Sequence, residues 1–132
     1  MFIRPRLLAT LLACLALAAC ASTSSDGWVL LGERTVNDGA ETDEILVTSA
    51  RGAFDALRVE VRRAPIRFYD MKVHYGNGAV QDVELRDVIP AGGQSRVIDL
   101  RGDERVIRRI TFRYETRSPG RRRAVIRVYG RG

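Results

Sequence analysis

The sequence predicts an all-β protein: a single antiparallel β-sandwich of about eight strands in a jelly-roll-like order, with an eight-stranded closed barrel as the alternative. Three observations lead there. From Trp28 onward, apolar and polar residues alternate at period two, the spacing that lines one face of a strand. Clusters of Gly, Pro, Asn and Asp interrupt the alternation at short intervals. No segment carries an amphipathic helical period over ten residues.

Taken in order, Trp28 to Val36 is the first strand, with Gly32 marking a bulge. Asn37-Asp38-Gly39 is a turn, and Glu44 to Thr48 a short second strand. Ser49 to Asp55 reads as a loop or one helical turn. In Ala56 to Arg63, Leu57, Val59 and Val61 share one face, while Arg58, Glu60 and Arg62 share the other. Pro65 breaks or edges the sheet. Ile66 to Tyr75 begins with Ile66 and Phe68 in phase, but Met71, Val73 and Tyr75 are shifted by one. Such a slip would flip every later side chain, so a bulge is expected near Tyr69-Asp70. Gly76-Asn77-Gly78 is a hairpin turn, because Asn and Gly tolerate positive φ.

Gln81 to Arg86 returns with Val83 and Leu85 inward, and Pro90-Ala91-Gly92-Gly93 is a loop. Arg96 to Leu100, Val106 to Thr116 and Arg122 to Tyr129 complete the set. Their inward residues are Ile98 and Leu100, then Ile110, Phe112 and Tyr114, then Ala124, Ile126 and Val128. Pairing the last two strands as a hairpin sets Tyr114 opposite Ala124, Phe112 opposite Ile126, and Glu115 opposite Arg123.

The N-terminus reads as an export address. Arg4 and Arg6 precede an uncharged apolar run, Leu7 to Ala19, which is too short for a comfortable transmembrane helix. It ends Leu17-Ala18-Ala19-Cys20, which resembles a bacterial lipobox. The expectation is a cleaved lipoprotein signal peptide at residues 1–19 and a lipidated Cys20 carrying a tether to residue 27. Residues 28–132 then form the β-sandwich domain. Several acyl chains anchor stably where one does not. Ala21 is not the Asp that typically holds lipoproteins at the inner membrane, so the expected location is the cell envelope, at the outer membrane facing the periplasm. Cys14 leaves with the signal and Cys20 carries lipid, so no thiol remains for a disulfide or a nucleophile.

At 132 residues the chain cannot hold a TIM barrel of about 250. One His and two Cys cannot make a four-ligand zinc site. There is no phosphate-binding P-loop, no H-E-x-x-H and no G-x-S-x-G. The reading is therefore non-enzymatic, with no cofactor and no metal.

The net charge of +6 is uneven. Residues 20–57 sum to −5 and residues 58–132 to +9. If the last two strands form a hairpin, Arg109, Arg113, Arg123 and Arg127 lie on one outer surface as a candidate ligand-binding face. Guanidinium forks match phosphates and carboxylates, so envelope polyanions are the expected partners, and nucleic acid is not. A solvated face is the plainer alternative.

Asp38, Glu41, Asp43 and Glu44 do not have the spacing of an EF-hand loop and read as a solvated turn. His74 reads as an outward strand residue. Trp28, Tyr69, Tyr75 and Tyr129 are candidates for sugar stacking, although aromatics equally serve cores.

A resemblance rests on several segments: Trp28 to Gly32, Gly39 to Glu41 with Asp43, Gly76 to Gly78 with Gln81-Asp82, Ile89 to Gly93, Ile98 to Leu100 and Arg105 to Arg108. On these the domain resembles an uncharacterised family of small exported bacterial proteins, a domain of unknown function. The resemblance implies an all-β envelope domain and transfers no catalytic residue. The domain is also faintly similar to galactose-binding-type sandwiches, whose end loops bind sugars. In that reading Asn77, Gln81 and Gln94 are the loop candidates for a carbohydrate-binding module. The leading expectation is an envelope lipoprotein that binds or scaffolds through a basic face.

Overall fold

The computed structural model describes residues 27–36, 39–47, 52–102, 104–116 and 123–132. The signal segment, Cys20 and the tether lie outside the described residues. The strands are Val29–Thr35 (β1), Gly39–Leu46 (β2), Ala53–Phe54 (β3), Ala56–Arg62 (β4) and Ile66–Tyr75 (β5). They continue with Val80–Val83 (β6), Val88–Ile89 (β7), Ile98–Asp99 (β8), Arg105–Thr116 (β9) and Val125–Arg131 (β10).

Two antiparallel sheets result. The smaller has the order β1-β10-β4-β8. The larger has the order β2-β9-β5-β6, with β3 also on β9 and β7 also on β5. Setting aside the two-residue strands β3 and β7, the pairs β1·β10, β2·β9, β4·β8 and β5·β6 are nested, outermost with outermost. That nesting is the jelly-roll order. The expected sandwich is what forms, and its two sheets do not close into a barrel.

The alternation in the sequence faces the sheets correctly. Leu57, Val59, Val61, Ile66, Phe68, Met71, Val73, Leu85, Ile98, Ile110, Phe112, Tyr114, Ile126 and Val128 are all buried. Phe68 and Phe112 pack tilted across the larger sheet, with ring centroids 5.7 Å apart. Each such side chain contributes roughly 1.5–3 kcal/mol by leaving water.

Both expected bulges are present. The β1 register slips between Leu30 and Gly32. A side chain at Gly32 would place Cβ 2.5 Å from Ile45 Cγ2, so glycine is what lets β1 and β2 approach. The β5 register slips between Phe68 and Asp70.

Three expectations change. The second strand begins at Gly39 and is longer than the alternation suggested, because it pairs with β9 over its whole length. Ala53-Phe54 is neither loop nor helical turn; it pairs with Val106 and Arg105. Most important, β9 and β10 are not a hairpin. β9 lies between β2 and β5 in one sheet, and β10 lies between β1 and β4 in the other. Inward apolar alternation is satisfied equally by either sheet, so it could not choose between them.

The edge strands β1 and β2 meet through charges at the seam between the sheets. Arg34 pairs with Asp43 at 2.9 Å, and Tyr114 Oη donates to Asp43 Oδ2 at 3.1 Å. Burial first, and then the acceptor Asp43, push the Tyr114 phenol up from its ordinary range. Charges on edge strands guard against pairing with another chain.

Candidate functional site

The outer face of the larger sheet carries the most distinctive surface, and the β5 bulge builds it. The extra residue leaves Phe68 and Met71 inward and sets both Tyr69 and Asp70 toward the outside. Asp70 Oδ1 accepts the Met71 N–H at 3.0 Å, a side-chain bond that holds the chain at the bulge.

Three shallow depressions adjoin along β5 and β9. The first, about 430 Å³, is lined by Pro65, Arg67, Tyr69, Val88 and Glu115. The second, about 440 Å³, shares Tyr69 and Glu115 with it and adds Thr42 and Arg113. The third, about 380 Å³, shares Thr42 and Arg113 and reaches Lys72, His74 and Arg109. Together they make an open groove along the strands roughly 20 Å long.

Tyr69 lies near its middle, 36% exposed. Its hydroxyl donates to Glu115 Oε2 at 2.6 Å, and the Arg113 guanidinium lies 5.8 Å from its ring centroid. Both ends of the side chain are thus positioned, which leaves a ring available for apolar contact beside polar groups.

Two of the cations on this face are matched by carboxylates. Lys72 pairs with Asp82 at 3.4 Å and Arg109 with Glu44 at 3.7 Å. His74 Nε2 lies 3.3 Å from Thr111 Oγ1. Desolvation, then the nearby Arg109 and Lys72 cations, hold its pKa below the ordinary value.

The four arginines expected on one surface are divided. Arg109 and Arg113 lie on the outer face of the larger sheet, while Arg127 lies in β10 of the smaller sheet and Arg123 just precedes it. Arg127 Nε donates to Glu33 Oε2 at 2.9 Å. No single basic face exists among these four, because the strands that carry them belong to opposite layers.

The aromatic candidates also separate. Trp28 is buried, with Arg58 4.6 Å and Arg131 4.7 Å from its ring. Tyr129 is half-buried beside Arg58. Tyr75 is buried, donates to Gln81 Oε1 and lies under Arg105 at 3.9 Å. Of the loop candidates, Gln81 is interior: its Nε2 donates to the Asp99 carbonyl and its Oε1 accepts the Arg101 N–H, which ties the two sheets. Asn77 Oδ1 accepts the Ala79 N–H and closes the hairpin turn. Gln94 is exposed and bridges β4 at Glu60 through its backbone.

The acids expected in a solvated turn lie instead in β2, which pairs with β9: Glu41, Asp43 and Glu44 serve Tyr114, Arg34 and Arg109, while Asp38 lies outside the described residues. Among the described residues no group of three or more His, Cys, Asp or Glu could hold a metal ion. Sequence reasoning missed Arg67 and the groove itself. The one available signal was the phase slip, which re-aims Tyr69.

The family model described as "Domain of unknown function (DUF2541)" matches residues 7–130. The chain belongs to this family. No curated protein matches the chain. Among solved structures, the chain is similar to one titled "Structural and functional characterization of Pseudomonas aeruginosa AlgX". The TM-score is 0.53 at 16% identity, covering 81% of this chain and 27% of that one. The DUF2541 chain thus spans about a quarter of AlgX, and at this identity the likeness concerns the fold alone.

Proposed function

We propose that this DUF2541 protein is a non-catalytic lipoprotein of the cell envelope. In this reading its jelly-roll domain binds an envelope glycan along the groove on the larger sheet. The observation that carries the reading is the groove centred on Tyr69, with an exposed ring flanked by positioned polar groups. Sugars are held by such a ring together with planar hydrogen-bonding side chains. The division of the four arginines between layers, and the acids beside Arg109 and Arg127, weigh against a polyanion held by one basic face.

Lipidation of Cys20 belongs to the same proposal and rests on the Leu17-Ala18-Ala19-Cys20 sequence. The chain enters the domain at Trp28, beside the end of β10, while Pro65 and Arg67 lie at the opposite end of the strands. A lipid at Cys20 would therefore leave the Pro65 end of the groove pointing away from the membrane.

The test is retention of the full chain on purified sacculi at low and high salt, comparing wild type with Tyr69→Ala. Retention that survives high salt and is lost in Tyr69→Ala is the expected result. Absent retention of the wild type, or equal retention of the variant, overturns the reading.

A further inference from the structure

The corner between β4 and β5 contains an unusual backbone. Arg63 has φ +73°, the only positive value at a non-glycine among the described residues. The Ala64 N–H donates to the Arg62 carbonyl at 2.9 Å, closing a three-residue γ-turn centred on Arg63. The φ-positive form of this turn is rare and strained. The surroundings enforce it: Val61 and Ile66 are buried in opposite sheets, and Ala64 is buried between them. Only residues 63–65 cross between layers that lie about 10 Å apart. Geometry alone asks for glycine at this position, since glycine adopts positive φ without cost. The chain instead carries an exposed arginine.

Two residues on, Pro65 begins the lining of the groove, and Arg67 follows it. Arg67 faces Glu115 across the strands, but the Glu115 carboxylate accepts the Tyr69 hydroxyl. Neither Arg63 nor Arg67 makes an ion pair with another described residue; Arg108 and Arg113 share that property, so what sets the two apart is the strained turn at Arg63 and the place of Arg67 in the groove lining. Strain retained at an exposed cation, four residues before a cation that lines the groove, is the pattern of a side chain held for a ligand.

We propose that Arg63 and Arg67 form an oxyanion subsite at the open end of the groove, taking a carboxylate or phosphate carried by the bound polymer. This deepens the glycan reading and rests on it for the polymer, but the subsite stands on its own two residues. Two guanidinium forks match either group bidentately.

The test uses amide NMR shifts of the full chain in nonionic detergent, titrated at low salt with inorganic phosphate and, in a second arm, with acetate. The expected result is saturable shifts at Arg63, Ala64 and Arg67, and the arm that saturates first identifies the preferred anion. Arg67→Gln should weaken the affinity about fivefold or more. Arg63→Gly should weaken it similarly while raising Tm by about 2–4 °C, because the turn is relieved. Arg63→Asn, which tolerates positive φ, should keep the turn and lose the affinity. Shifts that do not saturate, or affinities unchanged in Arg67→Gln and Arg63→Gly, overturn the subsite. Phosphate binding here without retention on sacculi would remove the glycan reading and leave the subsite standing. Retention through Tyr69 without saturable shifts would remove the subsite alone.

Discussion

The two outer faces of the sandwich use the same residue types to opposite ends. On the smaller sheet, Trp28 is 3% exposed beneath Arg58 and Arg131, and Arg58 also lies 5.6 Å from the Tyr129 ring. Arg62 and Arg127 pair with Glu60 and Glu33. The aromatics there are covered, so that face is packing. On the larger sheet, Tyr69 has an arginine beside it and a carboxylate at its hydroxyl, yet its ring opens into a groove. Aromatic-plus-arginine composition therefore does not distinguish a latch from a binding surface. What distinguishes them is whether the guanidinium covers the ring or stands beside it.

The comparison can be broken by substitution. Trp28→Ala should cost about 3 kcal/mol by emptying a covered site, lowering Tm by more than about 10 °C in thermal denaturation. The protein that remains folded should be retained on sacculi as wild type. Tyr69→Ala should do the reverse: retention is lost, while stability in urea changes by no more than about 1 kcal/mol. If both variants lose stability alone, the larger sheet has no site at Tyr69.

A smaller effect is expected at the paired charges. Glu33→Ala removes the partner of Arg127 on an exposed surface and should cost at most about 1 kcal/mol in urea unfolding. A larger loss would mean that the smaller face depends on its ion pairs as well as on its covered aromatics.

The smallest expected effect is on pH. His74 is the only histidine, and its folded pKa lies below 6.5 because of desolvation and then Arg109. The neutral ring is thus favoured in the folded state. Its contribution is present above pH 6.5 and is lost as pH falls through the lower folded value. Tm should fall slightly below pH 6.5 in wild type, and His74→Asn should remove that component. An identical pH profile in both would show that the groove's cations do not act on His74.

Much of the fold was legible because it is local. The bulge near Tyr69 was visible as a phase slip, since one extra residue must reverse every side chain that follows, and the one at Gly32 as a glycine inside a strand. The Gly76-Asn77-Gly78 turn was visible because Gly78 needs φ +89°. The site was less legible. Gln81 looked like a loop donor, but its amide is consumed between the sheets, and nothing local distinguishes a polar residue that bridges two layers from one that faces water. The four arginines looked like one face because the last two strands were read as neighbours.

The sequence by itself determined which side of each strand is buried, where the strands bend, and that the architecture is antiparallel all-β. These follow from period-two alternation and from backbone preferences that act within a few residues. The two open sheets of the structure decided for a sandwich over a closed barrel. Only the tertiary structure decided which strands are neighbours, and hence that β9 and β10 lie in different layers, that Arg109 and Arg127 face opposite ways, and that Tyr69 opens into a groove. An inward apolar face packs equally well in either sheet. The choice between sheets is made by long-range nesting of strands, which no stretch of sequence encodes alone.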